Sequence, residues 1–232
     1  HVRSRRQRQM CIRDSIGIIP TIAPYLLPGV LIGIEENYPD LEPRIVENQT
    51  DQLLQMLRDG QLDLAVLATP THAPGLEQLP LYDEPFVAVT NPDDPLAGRT
   101  DLGLDSLKDL NLLLLDDGHC LRDQIVELCK IAEATPGARK HAVTRASSLT
   151  TIVQLVVAGL GSTLIPASAV GTECSRPGVA SATFANGVQA QRTVSLVYRA
   201  SSQRVAEFEQ LGQLVKASYE RALESGKSLL PR

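Results

Sequence analysis

From Ile16 onward, short apolar runs alternate with segments of helical period, and this alternation constrains the fold more than any other feature of the sequence. IGIIP ends at Pro20 and reads as a buried strand. Residues 25–37 (YLLPGVLIGIEEN) repeat apolar side chains at helical spacing, with Pro28 expected in the first turn. LEPRIVE reads as a second strand, TDQLLQMLRDG as a short amphipathic helix capped by Thr50 and closed by Gly60, and LDLAVLA as a third strand. The βαβαβ order calls for a parallel sheet with helices on its faces, because parallel neighbours need a crossover connection. EPFVAVT begins a further strand, and a second α/β unit follows: LNLLLLD (110–116), a helix from about Leu121 to Ala132, the helix in SSLTTIVQLVVAGLG with Ser147 or Ser148 as its cap, then STLIP. TVSLVYR and a long C-terminal helix with Val205, Phe208, Leu211, Leu214 and Val215 on one face complete the pattern. The expected fold class is α/β, with two Rossmann-like lobes joined by two crossing strands. Lobe I is expected to comprise residues 16–84 and 193–232, and lobe II residues 85–192. The sequence has no Trp and 3% aromatic residues, so the cores must be built from Leu, Val, Ile and Ala.

Charge narrows the function. The formal net charge of −5 combines +4 from residues 1–15 (Arg3, Arg5, Arg6, Arg8 and Arg13 against Asp14) with −9 from the remainder. So acidic a body is not itself a nucleic-acid-binding surface. No apolar run reaches the ~18 residues of a membrane-spanning helix. The basic leader lacks the apolar stretch of a secretory signal; MCIRDS is similar to a tract found in translated sequencing adapters, and residues 1–15 are read as non-native and set aside from the fold.

Four cysteines, Cys11, Cys120, Cys129 and Cys174, are too sparse for a disulfide-stapled secreted domain, and none forms a CxxC or Cys/His pair with zinc-site spacing. Cys120 follows Asp117-Gly118 at the expected start of a helix. Free N–H groups and the positive end of the helix dipole there favour an anion and lower a thiol pKa from its reference of about 8.5. His119 and Arg122 stand beside it in sequence. Cys129 lies nine residues on, which in an unbroken helix is a rotation of about 900° and a rise of ~13.5 Å. A disulfide needs Cα atoms within about 6.8 Å, so bonding would require the helix to unwind. Two readings fit this spacing: a redox switch, and two inert cysteines, since Cys129 sits among Ile125, Leu128 and Ile131.

GHCLRDQ (118–124) followed by Cys129, with PTIAPYLLP (20–28), ENQTDQLL (47–54), SSLTTIVQLVVAGLG and RTVSLVYR (192–199), resembles the OxyR-type peroxide sensors, a branch of the LysR-type transcriptional regulators. The resemblance runs from Ile16 to about Leu223. It implies a type 2 periplasmic-binding-protein-like regulatory domain in which Cys120 reacts with hydrogen peroxide and Cys129 resolves the sulfenic acid into a reversible disulfide. By the same resemblance His119 and Arg122 orient the reacting group, Thr21 and Thr50 line the peroxide pocket, and Arg192 stabilises the reactive sulfur. Asp123 and Gln124 match the motif but are ranked as helix-start residues. Read on their own, Thr50 would be a helix cap, Thr21 a turn residue and Arg192 a surface charge.

The resemblance further implies a cytoplasmic homodimer or homotetramer, reset by thioredoxin- or glutaredoxin-type reductants, without metal or cofactor and without enzymatic turnover. The helix-turn-helix domain of such regulators is expected to be absent from this sequence, so that DNA is bound only through that missing N-terminal part. Leu160 stands where some relatives carry a serine, and His141 is left unassigned. Two other function classes compete with this reading. One is a LysR-type or solute-binding effector domain that takes a small metabolite with inert thiols. The other is a thiol peroxidase.

Overall fold

The computed structural model describes residues 14–68, 73–134 and 145–231, so nearly all of the basic leader, Cys11 and His141 lie outside the described residues. The chain divides into two compact units, His1–Tyr82 with Val194–Ser218 and Asp83–Thr193 with Tyr219–Arg232.

Unit 1 contains β1 (Ser15–Ile18), α1 (Ala23–Asn37), β2 (Arg44–Glu47), α2 (Thr50–Arg58) and β3 (Leu64–Leu67), with the first part of β4 (Leu76–Thr90). The sheet order is β2-β1-β3-β9-β4, where β9 is Gln191–Arg199. β1 pairs in parallel with β2 and β3, as the βαβαβ pattern requires. The sheet is nevertheless mixed, because β9 runs antiparallel to β3. Periodicity locates a returning strand but carries no information about its direction. Ile22, Leu26, Leu53, Leu57 and Leu64 are buried in this unit.

Two local expectations change. α1 starts at Ala23, earlier than its apolar period indicated, so Pro24 occupies the first turn and Pro28 lies inside the helix. Thr50 does not cap α2. Gln49 holds the cap position in extended backbone, and Thr50 is the first helical residue.

Unit 2 contains the remainder of β4, then β5 (Leu114–Leu115), α3 (Cys120–Ile131), β6 (Arg145–Ala146), α4 (Leu149–Val157), β7 (Thr163–Pro166), α5 (Val170–Glu173) and β8 (Ala180–Thr183). β4 pairs antiparallel with β7 through Phe86–Val89 and with β8 through Val87–Thr90. β5 and β6 pair in parallel. The apolar run 110–116 gives only two strand residues, and its remaining pairing is a bridge between Leu112 and Ser162. Ser148 caps α4 as expected, its Oγ accepting from the Thr151 N–H at 3.2 Å.

The last helix, α6 (Val205–Gly226), is divided between the units at Ser218, so the expected assignment of all of 193–232 to lobe I is corrected for residues 219–232. The reason is close packing within unit 2. Gly171 has no Cβ to obstruct Ser225 and Gly226, and Ser181 Oγ donates to the Leu229 carbonyl at 2.6 Å.

Gly161 follows α4 where the chain meets residue 111. A Cβ there would run into the Asn111 carbonyl oxygen, which already accepts from the Ser162 N–H at 2.9 Å. Gly161→Ala is expected to lower unfolding free energy by about 1–3 kcal/mol, the usual cost of forcing atoms into a filled site. Urea denaturation followed by circular dichroism checks it, and an unchanged midpoint would contradict the packing described.

Candidate functional site: a reduced cysteine pair on one helix

α3 follows β5 through a tight turn at Asp116–His119. Gly118 adopts φ +92°, a left-handed conformation that costs glycine little and an L side chain much more. His119 is the cap residue in extended backbone, and its carbonyl accepts from the Arg122 N–H at 2.9 Å. Cys120 is therefore the first helical residue, where amide N–H groups lack intrahelical partners.

Cys120 and Cys129 are both free thiols and both buried, at 8% and 1% exposure. The helix between them is continuous, so their Cα atoms are separated by a rise of ~13.5 Å. The helical wheel explains how both are buried on opposite bearings. With Cys120 at 0° and about 100° per residue, the buried Leu121, Ile125 and Leu128 form a stripe centred near ~100°. Cys120 and Cys129 occupy the two margins of that stripe.

Burial raises the Cys129 thiol pKa above its ordinary value, so in this state it is a protonated, apolar contact. Burial also lowers the His119 pKa, partly offset by the nearby Asp116 carboxylate, which favours the neutral imidazole. Arg122 pairs with Asp117 at 2.9 Å and with Asp123 at 3.4 Å. Its charge is thus committed to the acidic residues flanking the turn. Gln124, ranked with Asp123 as a helix-start residue, is different. It stands one turn beyond Cys120 on the same margin, and its side-chain oxygen is buried.

Arg192, read alone as a surface charge, is wholly buried. Its Nε and Nη2 donate to one oxygen of Glu84 at 2.8 and 2.7 Å, and both side chains have 0% exposure. Cys120, Cys129, His119, Arg122 and Arg192 all belong to unit 2, whereas Thr21 and Thr50 belong to unit 1. Within unit 1 the two threonines each lie three residues beyond a paired position, Ile18 of β1 and Glu47 of β2. They therefore follow the carboxyl ends of adjacent parallel strands, the edge where open α/β sheets bind ligands. Thr21 is buried, and the Thr50 hydroxyl oxygen is buried without a hydrogen-bond partner among the described residues. An orphaned hydroxyl suits a small hydrogen-bonding ligand.

A cavity of about 360 Å³ in unit 2 is lined by Asn91, Asp94, Asn111, Gly161 and Ser162, among others, and includes none of the expected site residues. Among the described residues no group of three or more His, Cys, Asp or Glu side chains could hold a metal ion. No described helix is long and apolar enough to cross a membrane.

The two-lobed α/β fold with a cysteine pair on one helix agrees with comparisons to known proteins. The chain belongs to the LysR substrate binding domain family, whose model matches residues 13–220. Among curated relatives, the probable hydrogen peroxide-inducible genes activator of Mycobacterium avium is 47% identical over 201 residues, covering 86% of this chain and 63% of the relative. The DNA-binding transcriptional dual regulator OxyR of Escherichia coli K12 is 40% identical over 202 residues, covering 87% of this chain and 65% of the relative. The chain thus spans just under two thirds of the length of these relatives. Among solved structures, a cysteine-to-serine OxyR mutant of Corynebacterium glutamicum in its hydrogen-peroxide-bound form is 55% identical with TM-score 0.89, covering 93% of this chain and 67% of that one. The reduced OxyR regulatory domain of Pseudomonas aeruginosa is 34% identical with TM-score 0.76, covering 88% and 97%.

Two measurements check the electrostatics. Burial and the neighbouring Glu173 push the buried Cys174 thiol up to about 11. At pH 8 only about one molecule in a thousand would carry that thiolate. Cys129 and Cys174 are therefore expected to resist iodoacetamide in the native protein and to label fully in guanidinium, and rapid native labelling would contradict their burial. The His119 imidazole should titrate below its ordinary 6.5 in NMR spectra, assigned with His119→Gln. Because the folded-state pKa is the lower one, its contribution to stability is present above the ordinary 6.5 and is lost as pH falls from there through the lower folded-state value.

Proposed function

We propose that this chain is the peroxide-sensing regulatory domain of a LysR-type transcriptional regulator. The observation that carries the reading is the reduced pair itself: Cys120 at the first position of α3, and Cys129 on the opposite margin of the same unbroken helix. The names of the relatives, hydrogen peroxide-inducible activators, and the peroxide-bound structure support it.

In this reading the Cys120 thiolate attacks one oxygen of hydrogen peroxide. An S–O bond forms, the O–O bond breaks, and hydroxide leaves as water after taking a proton, so that sulfur is oxidised to a sulfenic acid. α3 then unwinds and the Cys129 sulfur displaces the sulfenic oxygen. The S–S bond forms, the S–O bond breaks and a second water leaves. A dithiol reductant of the thioredoxin or glutaredoxin class returns both thiols and is itself oxidised to a disulfide. His119, Arg122 and Arg192 are assigned to orienting and polarising the reacting oxygen and sulfur, and the Thr21 and Thr50 hydroxyls to hydrogen bonds with peroxide. The disulfide repacks a homodimer or homotetramer, and the change reaches DNA through the DNA-binding part of the whole protein. The proposed setting is the cytoplasm, with no metal or cofactor. One peroxide is consumed per reduction, which makes the domain a sensor and not an enzyme.

Mass spectrometry after one equivalent of peroxide tests this directly. The wild type should yield a peptide crosslinked between Cys120 and Cys129, and Cys129→Ser should yield a trappable sulfenic acid at Cys120. Recovery of both residues as free thiols would sink the proposal, as would repeated turnover of peroxide. Affinity for a metabolite surviving Cys120→Ser would favour the effector-domain reading instead.

A further inference from the structure

Buried ion pairs carry a large desolvation cost. Replacing one with well-packed apolar residues is often neutral or stabilising, so stability alone does not account for such a pair. Glu84 on β4 and Arg192 on β9 form one with no exposure on either side chain. The guanidinium sends two donors, Nε and Nη2, to the same carboxylate oxygen, which fixes the plane of the group as well as its position. The second carboxylate oxygen accepts the Ser168 N–H at 2.9 Å, so Glu84 cannot rotate without breaking a buried bond. Ser168 lies in the 3₁₀ turn Ala167–Ala169 that follows β7. Its own hydroxyl is buried without a partner among the described residues, so the turn is placed to present its N–H and not its side chain. Three segments, β4, β9 and the turn after β7, therefore converge to set the orientation of one arginine.

We propose that Glu84 is the positioning residue for Arg192 at the peroxide-reactive site, an inference that rests on the role given to Arg192 in the proposed function. Glu84 acts through the guanidinium. It neutralises part of the arginine charge, fixes the fork, and so aims the remaining donors. Groups around the pair include Asp83, whose carbonyl accepts from the Tyr219 phenol at 3.5 Å and whose carboxylate accepts from the Thr193 hydroxyl at 2.6 Å, and Tyr219 itself, whose ionisation is opposed by burial and by the Glu84 charge.

The test measures the rate of Cys120 oxidation by hydrogen peroxide, by quenched alkylation and mass spectrometry across pH 5–9, on variants whose folding is checked by circular dichroism. Glu84→Gln is expected to slow oxidation about tenfold or more, as small displacements of an orienting group do, and to move the midpoint of the pH profile downward, because the arginine charge is then no longer neutralised. Glu84→Asp keeps the charge but is one methylene shorter, and should give an intermediate rate with the profile moved back toward wild type. Arg192→Gln should be slow, and the double variant no slower than Arg192→Gln alone. Slow oxidation in Arg192→Gln with a wild-type rate and profile in Glu84→Gln would overturn the role of Glu84 and leave the sensing reading standing. A wild-type rate in Arg192→Gln would remove the role of Arg192, and that of Glu84 with it. If Glu84→Gln does not fold, a wild-type rate in Glu84→Asp overturns the proposal and an intermediate rate supports it.

Discussion

The contact that ties β4, β9 and the turn after β7 to one another is the enclosed pair of Glu84 and Arg192. Their side chains sit 108 residues apart in sequence and 2.7 Å apart in space. Each stands beside a boundary between the two units, on one of the two strands that pass from one unit to the other. Neither charge has access to water, so removing one partner would strand the other at a cost of about 3–5 kcal/mol. Such a penalty holds β4 and β9 in register at the place where the chain changes units. It also ties the turn after β7 to them through the Ser168 N–H.

The second constraint is separation. α3 keeps its two sulfurs on opposite margins of one buried stripe, so the reduced state cannot form the bond by rotamer change alone. Leu121, Ile125 and Leu128 anchor the stripe, and exposing a side chain of this kind costs roughly 1.5–3 kcal/mol. Any disulfide between Cys120 and Cys129 would be formed against that anchoring. For a two-electron couple each 1.4 kcal/mol so opposed raises the reduction potential by about 30 mV, which leaves the disulfide easier to reduce than an unstrained structural crosslink.

Much of this was legible in the sequence because the signals are local. The Gly118–Cys120 helix start, the Ser148 cap and the apolar runs of β1, β3 and β7 each depend on residues within a few positions of one another. What failed is non-local. Thr50 has the residue type of a cap, yet Gln49 takes that position and leaves the Thr50 hydroxyl orphaned. Arg192 looks like a surface charge until its partner is known, and no periodicity connects positions 84 and 192. Strand direction in β9 and the membership of residues 219–232 are likewise set by distant packing, including the missing Cβ of Gly171.

The unbroken helix also has a consequence in time. In a molecule that resolves a sulfenic acid by opening α3, the wait between the first oxidation and the crosslink is set by how often the helix opens. Each 1.4 kcal/mol of helix stability lengthens that wait about tenfold. A reductant that acts within the wait erases the first oxidation before it is recorded. The fold would then respond to how long an oxidant persists as well as to how much of it arrives, and changes on the solvent face of α3, far from either sulfur, would retune the interval without touching the chemistry.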